Sequence, residues 1–125
     1  MIENDISYKI RGCIFEVYNC LGAGLLESVY EAALIYELKN INLQVENQVV
    51  LPVHYKDIML QVGFRIDILV EELVIIEIKS VEELKNVHYK QLLTYLKLSN
   101  TKLGLLVNFN SDNIKENIKR VVNGL

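Results

Sequence analysis

Hydrophobic positions divide the chain into segments of different period. From the N-terminus, Ile6, Ile10, Cys13, Ile14, Val17 and Leu21 recur at steps of three and four. That spacing predicts an amphipathic helix over residues 4–20, with Asp5 in an acidic first turn. Gly22 and Gly24 interrupt it, and a second helix is expected from Leu25 to Asn40. Its apolar residues (Val29, Ala32, Ala33, Leu34, Ile35, Leu38) occupy more than one stripe, so packing on two sides is expected. The period then shortens. Residues 44–55 are rich in Val and predict a first strand, followed by a turn at Lys56-Asp57. Two β-branched runs, 59–70 and 74–80, read as a hairpin around Glu71-Glu72. Helical spacing returns from Leu84 to Leu98, Lys102–Asn108 predicts a short strand, and Ile114, Ile118, Val121 and Val122 suggest a closing amphipathic helix. Helices packed against a mixed sheet would bury these faces.

The 125 residues, 51% hydrophobic and 23% charged, are read as a single domain spanning 1–125, not a disordered chain. No stretch approaches the ~18 unbroken apolar residues of a membrane span, so no membrane role is expected. The opening MIENDISYKIRG does not read as a secretory signal. Cys13 and Cys20 are seven apart on a predicted helix, a rise of about 10.5 Å. That exceeds disulfide reach, so both are expected as reduced core thiols and a cytoplasmic location follows as the default. The net charge of −3 is unevenly spread. Residues 1–78 hold five Lys or Arg against twelve Asp or Glu, whereas residues 79–125 hold eight against four. Such asymmetry can set a basic surface beside an acidic pocket, or simply describe ordinary solvated faces.

Alternation within the predicted hairpin gives the sharpest chemical signal. Phe64, Ile66, Ile68 and Val70 should share one face, leaving Asp67 with Arg65 and Leu69 on the other. In the next strand Glu77 and Lys79 lie opposite Val74, Ile76 and Ile78. Two carboxylates and an ammonium thus interrupt the most apolar part of the chain, where unpaired charge is costly. Glu77 and Lys79 alone could be a surface pair or an edge guard. Asp67, one strand earlier, favours a site. Asp67 and Glu77 could hold a hard divalent cation, with magnesium or manganese the suitable ions; the Cys and His residues lack structural-zinc spacing. Register decides whether they meet. A two-residue turn at Glu71-Glu72 would place Asp67 opposite Ile76, and the carboxylates on different faces. A three-residue turn centred on Glu72, or an equivalent bulge, would place Asp67 opposite Glu77, and this second arrangement is expected. Beside a metal-bound phosphate, Lys79 could orient or deprotonate an attacking water, or stabilise negative charge in the transition state.

Asp67 followed after nine residues by Glu77-Ile78-Lys79 resembles the Asp…Glu-x-Lys signature of the PD-(D/E)XK nuclease superfamily. Gly24-Leu25-Leu26-Glu27-Ser28-Val29-Tyr30 resembles the Gly-x-x-Glu-x-x-Tyr element of the GxxExxY protein family, whose members are widespread in prokaryotic genomes. The likeness continues through Gln91-Leu92-Leu93-Thr94-Tyr95-Leu96-Lys97 and Gly104-Leu105-Leu106-Val107-Asn108-Phe109, covering about Ile6 to Asn123. It implies a restriction-endonuclease-like α/β fold with a mixed central sheet flanked by helices. It also implies metal-dependent hydrolysis of nucleic-acid phosphodiesters, with DNA the favoured substrate and Mg2+ (or Mn2+) the cofactor. Under the resemblance Asp67 and Glu77 are metal ligands and Lys79 the active-site lysine. Glu27 supplies a further metal contact or orders its water, Gln91 is the helix glutamine, and Tyr95 follows one turn later. Ile66 stands where the superfamily often has proline, and Ala23 where the family's Gly-Pro-Gly turn has it.

Each supporting residue also has a plainer role. Glu27 suits a helix N-terminus, Tyr30 a packed aromatic whose hydroxyl finds one partner, and Gln91 a solvated helix face. His88 lies one turn before Gln91 and is left outside the catalytic set. Lys85, Lys90 and Lys97 could add to a phosphate-facing rim without sequence specificity, although their spacing does not set all three on one stripe. A homodimer would help so small a protein hold a duplex. Two competing readings are a nucleic-acid-binding or regulatory module with little turnover, and a structural or protein-interaction module.

Overall fold

The computed structural model describes residues 2–125, apart from the side chains of residues 61 and 62. Helix α1 (Ile2–Leu21) and helix α2 (Glu27–Asn40) precede strands β1 (Val45–Tyr55), β2 (Ile58–Val70) and β3 (Val74–Lys79). Helix α3 (Asn86–Ser99) crosses over to β4 (Leu103–Asn108), and a short 3-10 turn (Ile114–Asn117) leads into β5 (Ile118–Val122). The five strands lie in chain order β1-β2-β3-β4-β5. Only the β3/β4 pair is parallel, because only that connection contains a crossover helix.

Two apolar clusters cover the two sheet faces. On one, Ile10, Ile14 and Val17 of α1 and Tyr30, Leu34 and Leu38 of α2 meet Ile68, Val70, Ile76, Ile78, Leu105 and Val107. On the other, Leu92, Tyr95 and Leu96 of α3 meet Ile66, Ile75 and Leu106. The result is an α/β/α sandwich of the restriction-endonuclease-like type, as expected.

Three expectations change. Residues 118–122 form an edge strand antiparallel to β4, not a helix. Ile118 and Val121, three apart, fall in different clusters on opposite sheet faces. The spacing that mimics a helical stripe thus belongs to a β-branched strand covered on both sides, and the open edge of β4 pairs it. Helix α2 buries Tyr30, Leu34 and Leu38 and packs on two sides, against α1 and the sheet, but Val29, expected among its packed residues, is exposed. Of the two thiols, both free, Cys13 is buried but Cys20 is on the surface.

A fourth change concerns the strand that carries Asp67. Phe64, Ile66, Ile68 and Val70 do not share a face. Ile66 packs with Tyr95 and Leu96 of α3, whereas Ile68 and Val70 pack with α1 and α2. Strand β1 changes sides at the same level: Val45 joins the α1/α2 cluster, Val49 and Leu51 the α3 cluster. The switch falls at Gln48, whose φ of 52° is left-handed, and at Asp67, which lies opposite it between the pairs Asn47↔Ile68 and Val49↔Ile66. A residue held in that backbone region breaks the two-residue alternation on which the face assignment rested.

Candidate active site

The hairpin between β2 and β3 has the three-residue turn that the register condition required. Val70 pairs with Val74, Leu69 with Ile75 and Ile68 with Ile76, around Glu71, Glu72 and Leu73. Continuing that register by one step sets Asp67 against Glu77. The backbone ladder stops there. Instead, the Asp67 amide donates to Oε1 of Glu77 at 3.0 Å, and the Ile78 amide donates to Oδ2 of Asp67 at 2.8 Å. Each carboxylate replaces a strand-to-strand backbone bond, so the two strands part around them. Strand β2 runs on with β1 as a two-stranded arm as far as Tyr55↔Ile58, while β3 stays with β4 to Lys79↔Asn108. The carboxylates occupy the fork.

Burial makes this pair electrostatically tense. Glu77 is only 4% exposed. Desolvation, followed by repulsion from Asp67, pushes its carboxyl from the ordinary 4.5 up to about 8. Asp67 is also raised, chiefly by burial; the hydrogen bond from Ile78 opposes the rise, Glu31 adds to it and Lys79 subtracts. Lys79 therefore acts on both carboxylates, lowering them, and Glu27 acts on both in the opposite direction. Tyr95 is raised by burial and then by the charges of Glu77 and Asp67, which places its hydroxyl in their field from the α3 side.

The remaining expected residues take different positions. Glu27 is the first residue of α2, where an anion suits the helix dipole. Its Oε2 accepts from the Ser80 amide at 3.3 Å, and the Ser80 hydroxyl donates to the Leu25 carbonyl at 2.7 Å, tying the helix start to the residue after Lys79. Tyr30 is fully buried and stacks on Phe109 at 4.3 Å. Its hydroxyl donates to the Gly22 carbonyl and accepts from the Leu25 amide, two partners where one was expected. Both partners belong to the turn that aims α2. Gln91 lies half-buried one turn before Tyr95, with no hydrogen bond to Asp67, Glu77 or Lys79 among the described residues. His88 is structural: its Nδ1 accepts from the Lys85 amide and caps α3. Lys85, Lys90 and Lys97 are all exposed.

Three contributors were not foreseen. Glu31 follows Glu27 by one helical turn, a spacing that could have flagged it. Gln48, opposite Asp67, donates from Nε2 to Oε1 of Glu31 at 2.7 Å; nothing in its sequence context signals this. Asn108, paired with Lys79 and 1% exposed, accepts from the Val81 and Asn110 amides and donates to the Val81 carbonyl. It clamps the chain just beyond Lys79.

Among the described residues, no group of three or more His, Cys, Asp or Glu side chains converges as a ready-made metal cage. The expected trio is therefore a coupled pair, with Glu27 turned to Ser80. The pair's chemistry nevertheless fits a divalent cation. Two desolvated carboxylates repel each other, each with one oxygen engaged by backbone, and all-oxygen donors suit Mg2+ or Mn2+ completed by water.

A mixed sheet sandwiched by helices, with an Asp and a Glu-x-Lys meeting at a forked hairpin, defines the restriction-endonuclease-like class. The family model of the PD-(D/E)XK nuclease superfamily matches residues 4–121, and the chain belongs to that superfamily. A solved structure described as the crystal structure of SSO0001 is similar at 25% identity with a TM-score of 0.58, covering 78% of this chain and 50% of that one. The chain thus spans about half the length of that relative. No significant match exists among curated proteins. No described helix is long and apolar enough to cross a membrane.

Proposed function

We propose that this protein is a metal-dependent nuclease that hydrolyses nucleic-acid phosphodiester bonds, with DNA the favoured substrate, within the GxxExxY branch that its Gly24–Tyr30 motif resembles. The observation that carries the reading is the reciprocal pairing of Asp67 and Glu77 across the fork, with Lys79 acting electrostatically on both. Asp67 and Glu77 would hold Mg2+ or Mn2+, which when bound polarises the phosphate and lowers the pKa of water. Lys79 orients the attacking water and offsets negative charge developing on the phosphoryl oxygens. Glu27 keeps the end of β3 in place through Ser80 and faces the site as an outer anion able to order water. Tyr95, in the field of both carboxylates, and Gln91, one turn earlier on α3, would offer a hydroxyl and an amide to water or phosphate.

The test is a cleavage panel with purified protein on single-stranded and duplex DNA and on RNA, with Mg2+, Mn2+ and chelator. Expected is divalent-dependent cleavage that Asp67→Ala abolishes and Lys79→Ala strongly reduces while circular dichroism stays unchanged. Absence of such cleavage across the panel overturns the enzyme reading. Nucleic-acid binding without turnover would instead identify a binding module on a nuclease fold.

A further inference from the structure

Near the fork stands an exposed aromatic ring, Phe64, that the proposed hydrolysis does not use. Phe64 lies three residues before Asp67 on the β2 arm, a separation of roughly 10 Å along a strand. One side of its ring is held by Tyr95, with centroids 5.3 Å apart and planes tilted by 50°. Tyr95 in turn stands in the field of Glu77 and Asp67. The rest of Phe64 reaches solvent, at 37% exposure. Beside it, Val53, Leu60, Gly63 and Phe64 line an open apolar hollow of about 170 Å3. The hollow forms where the β1/β2 register shifts between Pro52 and Val53, so that Pro52 pairs with Gly63 but Val53 with Leu60. Position 63 must be glycine for this geometry, because a Cβ there would stand 2.1 Å from the Leu51 carbonyl oxygen. Such an irregularity re-aims neighbouring side chains and is common beside active sites.

We propose that Phe64 and this hollow form a subsite for an unpaired nucleobase, which makes single-stranded nucleic acid, or a frayed end, the substrate class. The inference rests on the nuclease reading and deepens it. A strand whose phosphate lies at Asp67 and Glu77 carries its neighbouring bases along the arm, within a few nucleotides of Phe64. A base inside a duplex keeps both π-faces stacked on its neighbours and offers none to a side chain; an unpaired base offers both. Lys79, half-buried across the fork, supplies positive charge for the connecting phosphates. An aromatic held on one side and open on the other meets the stacking requirement without reading sequence.

The experiment measures binding rather than cleavage, in chelator and again with Ca2+ in place of Mg2+. The chain contains no tryptophan, so Phe64→Trp introduces a single fluorescent reporter. Expected is quenching of that emission by single-stranded oligonucleotides, with far less by a blunt duplex of the same length. Phe64→Ala should weaken single-strand affinity by roughly 5- to 150-fold, the range for losing one base–aromatic stack, and leave duplex affinity within about twofold. Phe64→Leu, which keeps apolar volume without the π-face, should behave like Phe64→Ala and guards against misfolding of the smaller variant. Unchanged single-strand affinity in Phe64→Ala and Phe64→Leu, or a Phe64→Trp protein that binds without quenching, overturns the subsite and leaves the nuclease reading standing. Failure of the wild type to bind any nucleic acid overturns both.

Discussion

The Asp67 amide is held by the Glu77 carboxylate, and the Ile78 amide beside Glu77 is held by the Asp67 carboxylate. Two acidic side chains thereby carry out the work of the backbone ladder at the point where β2 and β3 separate. The arrangement fixes the distance between the carboxylates through main chain, and the charge of Lys79 offsets their burial and mutual repulsion only in part. Structure and electrostatics are coupled at this position, and the first prediction follows from that coupling.

Without divalent cations, stability should fall as pH rises from about 4.5 to about 8. Glu77 ionises near 8 in the folded chain and near its ordinary 4.5 when unfolded, so between these values the folded state retains a proton that the unfolded state has released. The stabilising contribution is complete below the lower value and is lost as pH passes through the upper one. Asp67 is raised as well and adds to the same slope, while Lys79 reduces it and Glu27 increases it. The total is on the order of a few kcal/mol. Melting temperatures across this range should show the decline, and Glu77→Gln should flatten it. Because a ligand carboxylate must be ionised to bind metal, Mg2+ should raise Tm more at pH 8 than at pH 5.5. A flat profile in the wild type would refute the coupling.

Lys79→Ala should lower the cleavage rate by roughly 100- to 1,000-fold, the cost of removing a preorganised charge from a transition state. Its fold should persist, because Lys79 is half-buried at the end of β3 and the Asn108 clamp acts on the following backbone. Lys79→Arg should recover little, since a planar guanidinium differs from an ammonium in shape and in the direction of its donors. Single-turnover kinetics at saturating metal distinguish this from weakened metal binding.

How much of this was legible depends on the kind of signal each element carried. The sandwich could be read from the hydrophobic periods. The three-residue hairpin turn could be read because two carboxylates in apolar strands are costly unless they share a site open to a cation, which only one of the two turn registers provides. The side switch at Gln48 and Asp67 could not. Alternation assumes an unbroken strand, and no residue type announces that a glutamine adopts a left-handed φ. Strand β5 failed for a different reason. Ile118, Val121 and Val122 have helical spacing, whereas in the strand Ile118 and Val121 face opposite sides of the sheet, and the deciding factor was the unpaired edge of β4, more than ten residues earlier. Glu31 lay within reach of a helical-spacing argument from Glu27, whereas its bond to Gln48 depends on tertiary placement alone.

Tyr30→Phe should cost about 1–2 kcal/mol, because the Gly22 carbonyl and the Leu25 amide both lose a buried partner. The ring stack on Phe109 survives the substitution, so the loss is confined to the turn before α2. Urea denaturation gives the magnitude. Amide exchange at Leu25 should accelerate before exchange in α1 does.

Glu27 separates a strut from a participant. Its carboxylate is exposed and accepts one 3.3 Å bond from Ser80, so Glu27→Gln, which retains an oxygen acceptor, should leave stability within about 0.5 kcal/mol. If its negative charge orders water at the cation held by Asp67 and Glu77, the same substitution should reduce kcat about 10- to 100-fold, the usual cost of an outer-shell partner. Glu27→Ala should show the same kinetic loss and additionally loosen the Ser80 segment, visible as faster amide exchange at Ser80. Unchanged kcat in Glu27→Gln with faster exchange only in Glu27→Ala would reduce Glu27 to a tether between α2 and the end of β3. A kinetic loss in both, with the exchange change confined to Glu27→Ala, would separate the charge from the tether and place Glu27 in the chemistry.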